Sequence, residues 1–456
     1  MMNRRTFLKS LSCSIGVATA PVIIPGSALG KNGAVAPSDR IVIGCIGLGG
    51  QGTHNMRAFI NQPDTEIRAL CDVDEGVGDF DMLYQEPGNR DAGLQPAVEK
   101  AIDAYKNRGA VKKPADFSTF IDFRELLARQ DIDAVTVCTP DHWHGLISIA
   151  AAQAGKDIYC EKPLVNSVIE GREVCDAVQQ HNRILQTGSH ERSNNSVRYA
   201  YELVANGRIG TLKEIHVNMP NSDDHHMTLR QDNGPHPEMP IPKGFHYDLW
   251  LGPASWAPYT KKRAHFWWRF ILETGGGEMT DRGAHIIDLA QFMNDADDSG
   301  PITLEATGEQ VKSKLFDCFI EYKFECRYKN GLKLFGTSEG DRGLKLVGDQ
   351  GWIFIHIHGG RLEASNPDIL KSVIGPNEIH TQYSPGHHRN FLDAVKSRKK
   401  AIAHEEIGHR TATICHLLNI GMLLNKPISW DPVKEISTDD AVNKMLKRPM
   451  RSPWRL

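Results

Sequence analysis

Ile41-Val-Ile-Gly-Cys-Ile-Gly-Leu-Gly-Gly-Gln-Gly52 is an apolar run ending in glycines spaced G-x-G-x-x-G, at Gly47, Gly49 and Gly52. A second apolar run, 67–70, is closed by Cys71 and Asp72, with Asp72 twenty positions after Gly52. That layout predicts a strand, a tight turn and a helix whose N-terminus faces a pyrophosphate. The first glycine allows the turn, the second lets the backbone approach the phosphates, and the third lets helix and strand pack closely. Leu48, Gly50 and Gln51 complete the phosphate-facing turn. Asp72 is expected to accept hydrogen bonds from the adenosine ribose hydroxyls. Asp72 and Asp74 together repel a 2′-phosphate, so NAD is favoured over NADP. The bland alternative is a glycine turn in some other α/β protein. The strand-like run before it, the helical pattern at 54–61 and the correctly spaced acid argue for the dinucleotide.

The chain has 456 residues, more than one ordinary core accommodates, so two domains are expected. Hydrophobic residues make up 40% and charged residues 24%, as in soluble globular proteins. A net charge of −3 proposes neither nucleic acid nor an anionic membrane as partner. No apolar run reaches the roughly 18–20 residues that span a bilayer.

Residues 1–30 read as a targeting segment. Arg4-Arg5-Thr-Phe-Leu-Lys9 is a twin-arginine pattern, 11–24 is moderately apolar, and Ala28-Leu-Gly30 offers small residues for cleavage. This predicts export of the folded protein to the periplasm; the alternative is a basic N-terminus on a cytoplasmic enzyme. Cys13 lacks a convincing lipid-attachment context. Its removal would leave eight of the nine cysteines. Cys45, Cys71, Cys138 and Cys160 sit in or beside apolar runs and read as buried core residues. No C-x-x-C occurs, which argues against a zinc ribbon or a redox dithiol. Cys318 and Cys326, eight apart on one expected strand, lie too far apart to bond.

Beyond residue 38 the pattern alternates strand and helix. The runs 41–46, 66–71 and 134–138 are short and β-branched, as expected of parallel strands buried on both faces. Residues 77–114 form a polar insertion with a helical middle at 95–106, expected on the surface. A strand ending at Ile158-Tyr-Cys-Glu-Lys-Pro163 and a helix at 166–181 follow. Then alternating segments at 213–218, 302–310, 317–328, 333–337 and 345–347 predict a mainly antiparallel sheet. A Pro-, His- and Trp-rich stretch, 220–269, reads as long loops over a binding face. Helical patterns return at 388–397 and 408–424. The fold class is therefore α/β: an N-terminal Rossmann domain (38–165), a C-terminal α/β domain with an open, mainly antiparallel sheet (166–440), and a tail (441–456) expected to pack back on the first domain.

Three stretches could carry chemistry. Thr139-Pro-Asp-His-Trp-His144 follows the 134–138 strand, and Glu161-Lys-Pro163 ends the next. Loops at the carboxyl ends of parallel strands are where open α/β sheets bind ligands. Gly275-Gly-Gly-Glu-Met-Thr-Asp281-Arg-Gly-Ala-His285 lies far downstream, with Asp281 and His285 four apart and therefore able to touch on one helix face. A carboxylate beside an imidazole fixes its tautomer and raises its basicity. An ordinary helix-cap pair is the alternative, as is a solvent-facing Lys162.

These motifs resemble the Gfo/Idh/MocA family of nicotinamide-dependent oxidoreductases. The resemblance rests on Gly47–Gly52, on Thr139-Pro140 with His144, on Glu161-Lys162-Pro163, and on Gly275-Gly-Gly with Asp281 and His285. It extends to the family's exported branch through Trp250-Leu-Gly-Pro253 and Gly408-His-Arg-Thr-Ala-Thr413. It implies that Lys162 lies between nicotinamide and substrate, that Asp281 and His285 complete a catalytic trio, and that His144 and Glu161 line the nicotinamide pocket. It also implies a homo-oligomer, dimer or tetramer. His285 is the preferred base and Lys162 the group that stabilises a developing alkoxide; the sequence leaves the reverse assignment open. Trp267, Trp268 and Arg269 are a candidate sugar wall, with a core role for the tryptophans as the alternative. His225-His226, His356-x-His358 and His387-His388 match no firm zinc spacing, although His356 and His358 would share a strand face, and no metal is assigned.

The expected activity is NAD-dependent oxidation of a secondary hydroxyl of a sugar, glycoside or cyclitol, on tightly bound NAD. The first alternative is a redox-neutral glycosidase that oxidises, eliminates, adds water and reduces. The second is a non-catalytic NAD or carbohydrate-binding sensor, which needs no such trio.

Overall fold

A computed structural model describes residues 35–76 and 92–456. The twin-arginine segment, Cys13 and residues 77–91 of the polar insertion lie outside the described residues.

The run that opens with Ile41 forms β1 (Ile41–Ile46), at the centre of a six-stranded parallel sheet. Its neighbours are β2 (Thr65–Cys71), β3 (Ser118–Phe120), β4 (Ala134–Val137), β5 (Asp157–Cys160) and β6 (Leu185–Thr187), in the order β3-β2-β1-β4-β5-β6. Every β1 residue is buried, and alternation explains why. Ile41, Ile43 and Cys45 enter one hydrophobic cluster with Met56 and Phe59, while Val42 and Ile46 enter another with Leu146 and Ile147. A strand apolar on both faces is stable only where helices cover both faces. Full burial of each such side chain contributes roughly 1.5–3 kcal/mol.

The helix after the turn is Gly50–Ile60, four residues earlier than its apolar periodicity suggests. Glycines disguise its first turn, where amides have no intrahelical partners and stay free for a ligand. The helix Leu94–Asn107 corrects the expected surface excursion: Ala97, Val98, Ala101 and Tyr105 pack into the same cluster as Phe59. The Tyr105 hydroxyl accepts a hydrogen bond from the Ile67 amide at 2.8 Å.

The second sheet has nine strands: β7 (Leu212–Asn218), β8 (Thr303–Gln310), β9 (Phe319–Arg327), β10 (Lys333–Thr337), β11 (Gly343–Gly348), β12 (Trp352–His356), β13 (Leu362–Ala364), β14 (Ile428–Asp431) and β15 (Ile436–Ser437). Its order is β13-β12-β11-β7-β10-β9-β8-β14-β15, antiparallel except where β10 runs parallel to β7. The helices Gly283–Met293 and Glu405–Leu424 pack on its buried face, contributing Ile286, Leu289, Ile414 and Leu418. Cys318 and Cys326 lie in different clusters, and all eight described cysteines are free thiols.

Two late segments return to the first sheet. The helix His387–Ser397 brings Phe391 against Phe59 and Tyr159. Trp454 stands edge-on to Trp143, ring centroids 4.7 Å apart. The stretch 220–269 is not loop alone. It holds the helices Asp224–Gln231 and Tyr247–Leu251, a 3₁₀ turn at His265–Phe270, and a buried cluster of Phe245, Tyr247, Trp250, Tyr259 and Trp268. It is tied beside the end of β2 by hydrogen bonds from the His246 amide to Val73 and from the Glu75 amide to Gly244.

Candidate active site

A cleft of about 860 Å³ runs along the carboxyl ends of β1, β2, β4 and β5 and on to the helix Gly283–Met293. Of the residues expected at cofactor and substrate sites, all border it except Leu48 and Trp267.

At one end lies the glycine turn. Gly47 has φ +84°, and a Cβ there would stand 2.6 Å from the Cys138 carbonyl. A Cβ on Gly52 would meet the Gly47 carbonyl oxygen at 2.0 Å. No side chain fits either place, so the turn and the helix start are held by absence of bulk. Gly49 and Gly50 have nothing within 4 Å of the corresponding position, which leaves their backbone open to a ligand. This is the cradle a pyrophosphate needs, so the residues fit a dinucleotide. The Leu48 side chain is core, correcting its place among the contacts, but its amide donates to Asp72 Oδ2 at 2.5 Å. The Asp74 amide donates to the other carboxylate oxygen at 2.9 Å. Burial lifts the Asp72 carboxyl to about 6 against the pull of these amides. It lifts Asp74 to about 7, helped by the charges of Asp72 and Glu75.

The middle of the cleft is built from two turns tied together. His144 lies between the Pro163 carbonyl, 2.7 Å from Nδ1, and the Thr139 carbonyl, 2.8 Å from Nε2. The ring fastens the Thr139-Pro140 turn to the turn carrying Lys162. Burial pushes the imidazole below the usual histidine range. Glu161 Oε1 accepts from Asn55 at 2.7 Å and from Gln51 at 3.2 Å, joining the β5 end to the first helix.

At the other end Lys162 Nζ donates to Asp281 Oδ1 at 2.6 Å and to the Asp281 carbonyl at 3.0 Å. Arg269 Nε stands 3.8 Å from the same carboxylate oxygen. Burial opposes ionisation of Asp281. The charges of Lys162 and Arg269 and the Lys162 hydrogen bond overcome it and hold the carboxyl well below its usual range. The expected Asp281–His285 hydrogen bond does not form. The carboxylate is directed to Lys162 instead, although Arg282, between Asp281 and His285, keeps right-handed helical geometry and both side chains border the cleft. Asp281 acts on His285 through charge alone. His285 is buried and its Nδ1 has no hydrogen-bond partner. Burial, then the charges of Lys162, His190 and His358, push it well below the ordinary histidine range, against an opposing pull from Asp281.

The aromatic pair divides. Trp268 borders the cleft with the Arg269 guanidinium 4.4 Å from its ring centroid. Trp267 packs in the core against Phe270 and Phe316, which takes it out of the substrate wall. Asp141 and His190 carried no expected role, and His358 was expected only to share a strand face with His356. Asp141, inside the quoted Thr139–His144 motif, is raised by burial to about 8 although Lys162 and Arg269 pull it down. His190 carried no motif. His358 leaves β12 with φ +65° and turns into the cleft, while His356 pairs with Glu363 at 2.9 Å, so the two do not share a face.

Residues 41–189 match the family model described as oxidoreductase family, NAD-binding Rossmann fold. Residues 193–456 match the one described as oxidoreductase family, C-terminal alpha/beta domain. Over 191 residues the chain is 29% identical to the alpha-N-acetylgalactosaminidase of Shewanella oneidensis, covering 39% of this chain and 37% of that protein. A glycosyl hydrolase family 109 protein of Shewanella baltica is 28% identical over the same length. The chain thus spans little more than a third of the curated relatives it matches. Among solved structures, the aldose-aldose oxidoreductase from Caulobacter crescentus has a TM-score of 0.58 at 15% identity, covering 86% of this chain and 99% of that one. A levoglucosan dehydrogenase solved with NADH and levoglucosan has a TM-score of 0.57 at 18% identity, covering 85% and 98%. At that identity the likeness is one of fold.

Proposed function

The chain belongs to the Gfo/Idh/MocA oxidoreductase family, whose N-terminal domain binds NAD, and from that premise we propose that it oxidises a secondary hydroxyl of a sugar, glycoside or cyclitol. The observation that carries this reading is the joining, in one cleft with the glycine turn, of the 2.6 Å Lys162–Asp281 pair and a buried His285 with an unpartnered ring nitrogen. NAD supplies the hydride acceptor when bound. Everything else falls to the chain's own side chains.

Lys162 is held against a carboxylate and can turn a remaining N–H to the substrate oxygen. It stabilises negative charge as that oxygen loses its proton. His285, kept neutral by burial, has a nitrogen available to accept the proton. Its basicity is restrained, and the Asp281 charge offsets part of that restraint. Asp281 is thus a positioning residue for Lys162 and an electrostatic partner for His285. Trp268 and Arg269 together offer a flat apolar face edged by donors, which suits a sugar ring with one C–H face and several hydroxyls. We place the protein in the periplasm on the Arg4-Arg5 pattern, with NAD retained through each cycle, and expect a homo-oligomer.

The redox-neutral glycosidase is a second reading, favoured by the similarity to the Shewanella oneidensis alpha-N-acetylgalactosaminidase. There the same trio would oxidise C3, the acidified C2–H would leave with the C1 substituent, water would add, and the hydride would return. The test is the purified full chain, its bound nicotinamide and a panel of glycosides. A keto-sugar with reduced cofactor supports the dehydrogenase. Released aglycone without net reduction supports the glycosidase. Unchanged sugars with NAD bound overturn both.

A further inference from the structure

The substrate end of the cleft holds a cluster that the proposed chemistry does not use. His190 and Glu191 open the 3₁₀ turn His190–Ser193 just after β6, and His358 arrives 167 residues after Glu191. Glu191 Oε1 lies 3.2 Å from His358 Nδ1 and 3.5 Å from His190 Nε2. One ligand atom from each residue falls within 4.8 Å of the others. The two imidazoles stack, centroids 5.6 Å apart at 25°. Both rings border the cleft, while Glu191 is 3% exposed at its side chain.

Two histidines and a glutamate are a ligand set of catalytic zinc sites, which hold the ion by three side chains and leave a position open. Nitrogen and oxygen ligands sharing one ion at ~2.0–2.2 Å lie about 3.0–3.5 Å apart. The spacing of Glu191 from both histidines already matches. The backbone supports the placement: His358 holds φ +65°, a region that residues with a Cβ enter rarely, and its amide donates to Glu191 Oε1 at 3.1 Å.

The two other clusters of this kind among the described residues differ. Asp223, near His225 and His226, is ion-paired to Arg282 and Arg342. Glu406 and Glu435, near His409, are taken by Arg172 and Arg410. Their carboxylates are neutralised by guanidinium. Glu191 is ion-paired with no arginine or lysine among the described residues; the side chains against its carboxylate are the imidazoles of His190 and His358.

We propose that His190, Glu191 and His358 bind a divalent transition-metal ion, of the zinc or manganese class, with coordination positions facing the cleft. His285 lies against this site, its ring 4.9 Å from His190 and 5.2 Å from His358, centroid to centroid. The ion would therefore sit beside the proposed base, where it can hold sugar hydroxyls next to the one that reacts. That role rests on the dehydrogenase reading; the binding of the ion does not.

The full chain is stripped with a chelator and titrated by calorimetry with Zn²⁺ and, separately, Mn²⁺. Metal content after dialysis is read by mass spectrometry, and Co²⁺ substitution by its visible spectrum. One ion per chain is expected. Glu191→Gln and His358→Asn should each weaken it by ~100-fold or more, with NAD affinity unchanged; asparagine tolerates the positive φ, so the loop survives. Stoichiometric binding that both variants lose supports the site even if no sugar is oxidised, in which case it is the dehydrogenase reading that fails. Binding to the wild type no tighter than to Glu191→Gln overturns the site, whatever the sugars do.

Discussion

The two ends of the cleft are made in different ways. At the nucleotide end the working parts are backbone, contiguous from Gly47 to Gly52, with one carboxylate at Asp72. At the substrate end they are side chains drawn from five places: Lys162, His190, Arg269, the Asp281–His285 segment and His358. The first end is fixed by short-range sterics, since a Cβ at Gly47 or Gly52 would collide with nearby main chain. The second exists only once two sheets and the stretch 220–269 have packed. Local necessity leaves a spacing; tertiary assembly leaves none.

If the ends are separable, a change at the substrate end should spare the nucleotide. Lys162→Met removes the donor aimed at the developing charge and leaves Asp281 with Arg269 alone. Loss of one such preorganised donor costs ~10²–10³-fold in turnover. The expected result is a kcat lower by ~10³-fold, with the NAD Kd unchanged within about twofold. Stopped-flow reduction of NAD and fluorescence titration of the cofactor read the two numbers separately. An equal loss in both would mean that the ends are one unit.

The tryptophan pair shows why the substrate end was only half legible. Glu161-Lys162-Pro163 could be singled out because motif and strand end coincided, and Asp281 because it stands four residues before His285. The periodicity could not say that Lys162, 119 residues earlier, reaches the Asp281 carboxylate, so the partner expected within the helix was the wrong one. Nor could it separate adjacent aromatics, because which of Trp267 and Trp268 faces inward is decided by Phe270 and Phe316. The fold was more open to reading: β1 and β10 were bounded correctly by their apolar pattern, and β2, β4, β7, β8, β9 and β11 within two residues, whereas β3, β6 and β12 to β15 were not delimited, being short or lacking a clear alternation. Trp267→Ala should cost ~3 kcal/mol of stability by leaving a cavity, with little effect on KM in the protein that remains folded. Trp268→Ala should raise the sugar KM several-fold and also lower Tm, because the ring belongs to the buried cluster of Phe245, Tyr247 and Trp250 as well as bordering the cleft. Thermal unfolding with steady-state kinetics on both variants decides; a reversed pattern would exchange their roles.

At the nucleotide end the sharpest probe is Gly52→Ala. Its Cβ would stand 2.0 Å from the Gly47 carbonyl oxygen, so turn or helix must move. Overpacking of this kind costs ~1–3 kcal/mol, and here the displaced atoms are those meant to hold the pyrophosphate. NAD should bind ~10–50-fold more weakly, whereas kcat at saturating NAD should fall by no more than about twofold. Isothermal titration reports the first and initial rates the second. A kcat that collapsed with the affinity would show that the glycine turn also sets the nicotinamide position.

The smallest effect expected is one of pH, and its sign is opposite for binding and for stability. Asp72 titrates near 6 because burial disfavours its charge, against an ordinary value of 3.8. A carboxyl raised on folding binds more protons in the native state than in the unfolded one. Its contribution to stability is therefore fully present below 3.8 and is lost as pH rises through about 6. NAD needs the other form, since only the carboxylate accepts both ribose hydroxyls, and a 2′-phosphate is repelled only by the charge. From pH 7.5 down to pH 5 the apoprotein should thus gain stability from this group. Over the same interval NAD affinity should fall by up to ~10-fold and discrimination against NADP should shrink. Asp72→Asn separates this group from the rest: the amide still accepts the Leu48 N–H but does not titrate. In that variant NAD affinity should be low and flat across the interval, and the wild-type trend in Tm should lose the Asp72 part. A variant that kept the wild-type pH profile of NAD binding would move the effect to Asp74, which titrates near 7 at the same end of the cleft.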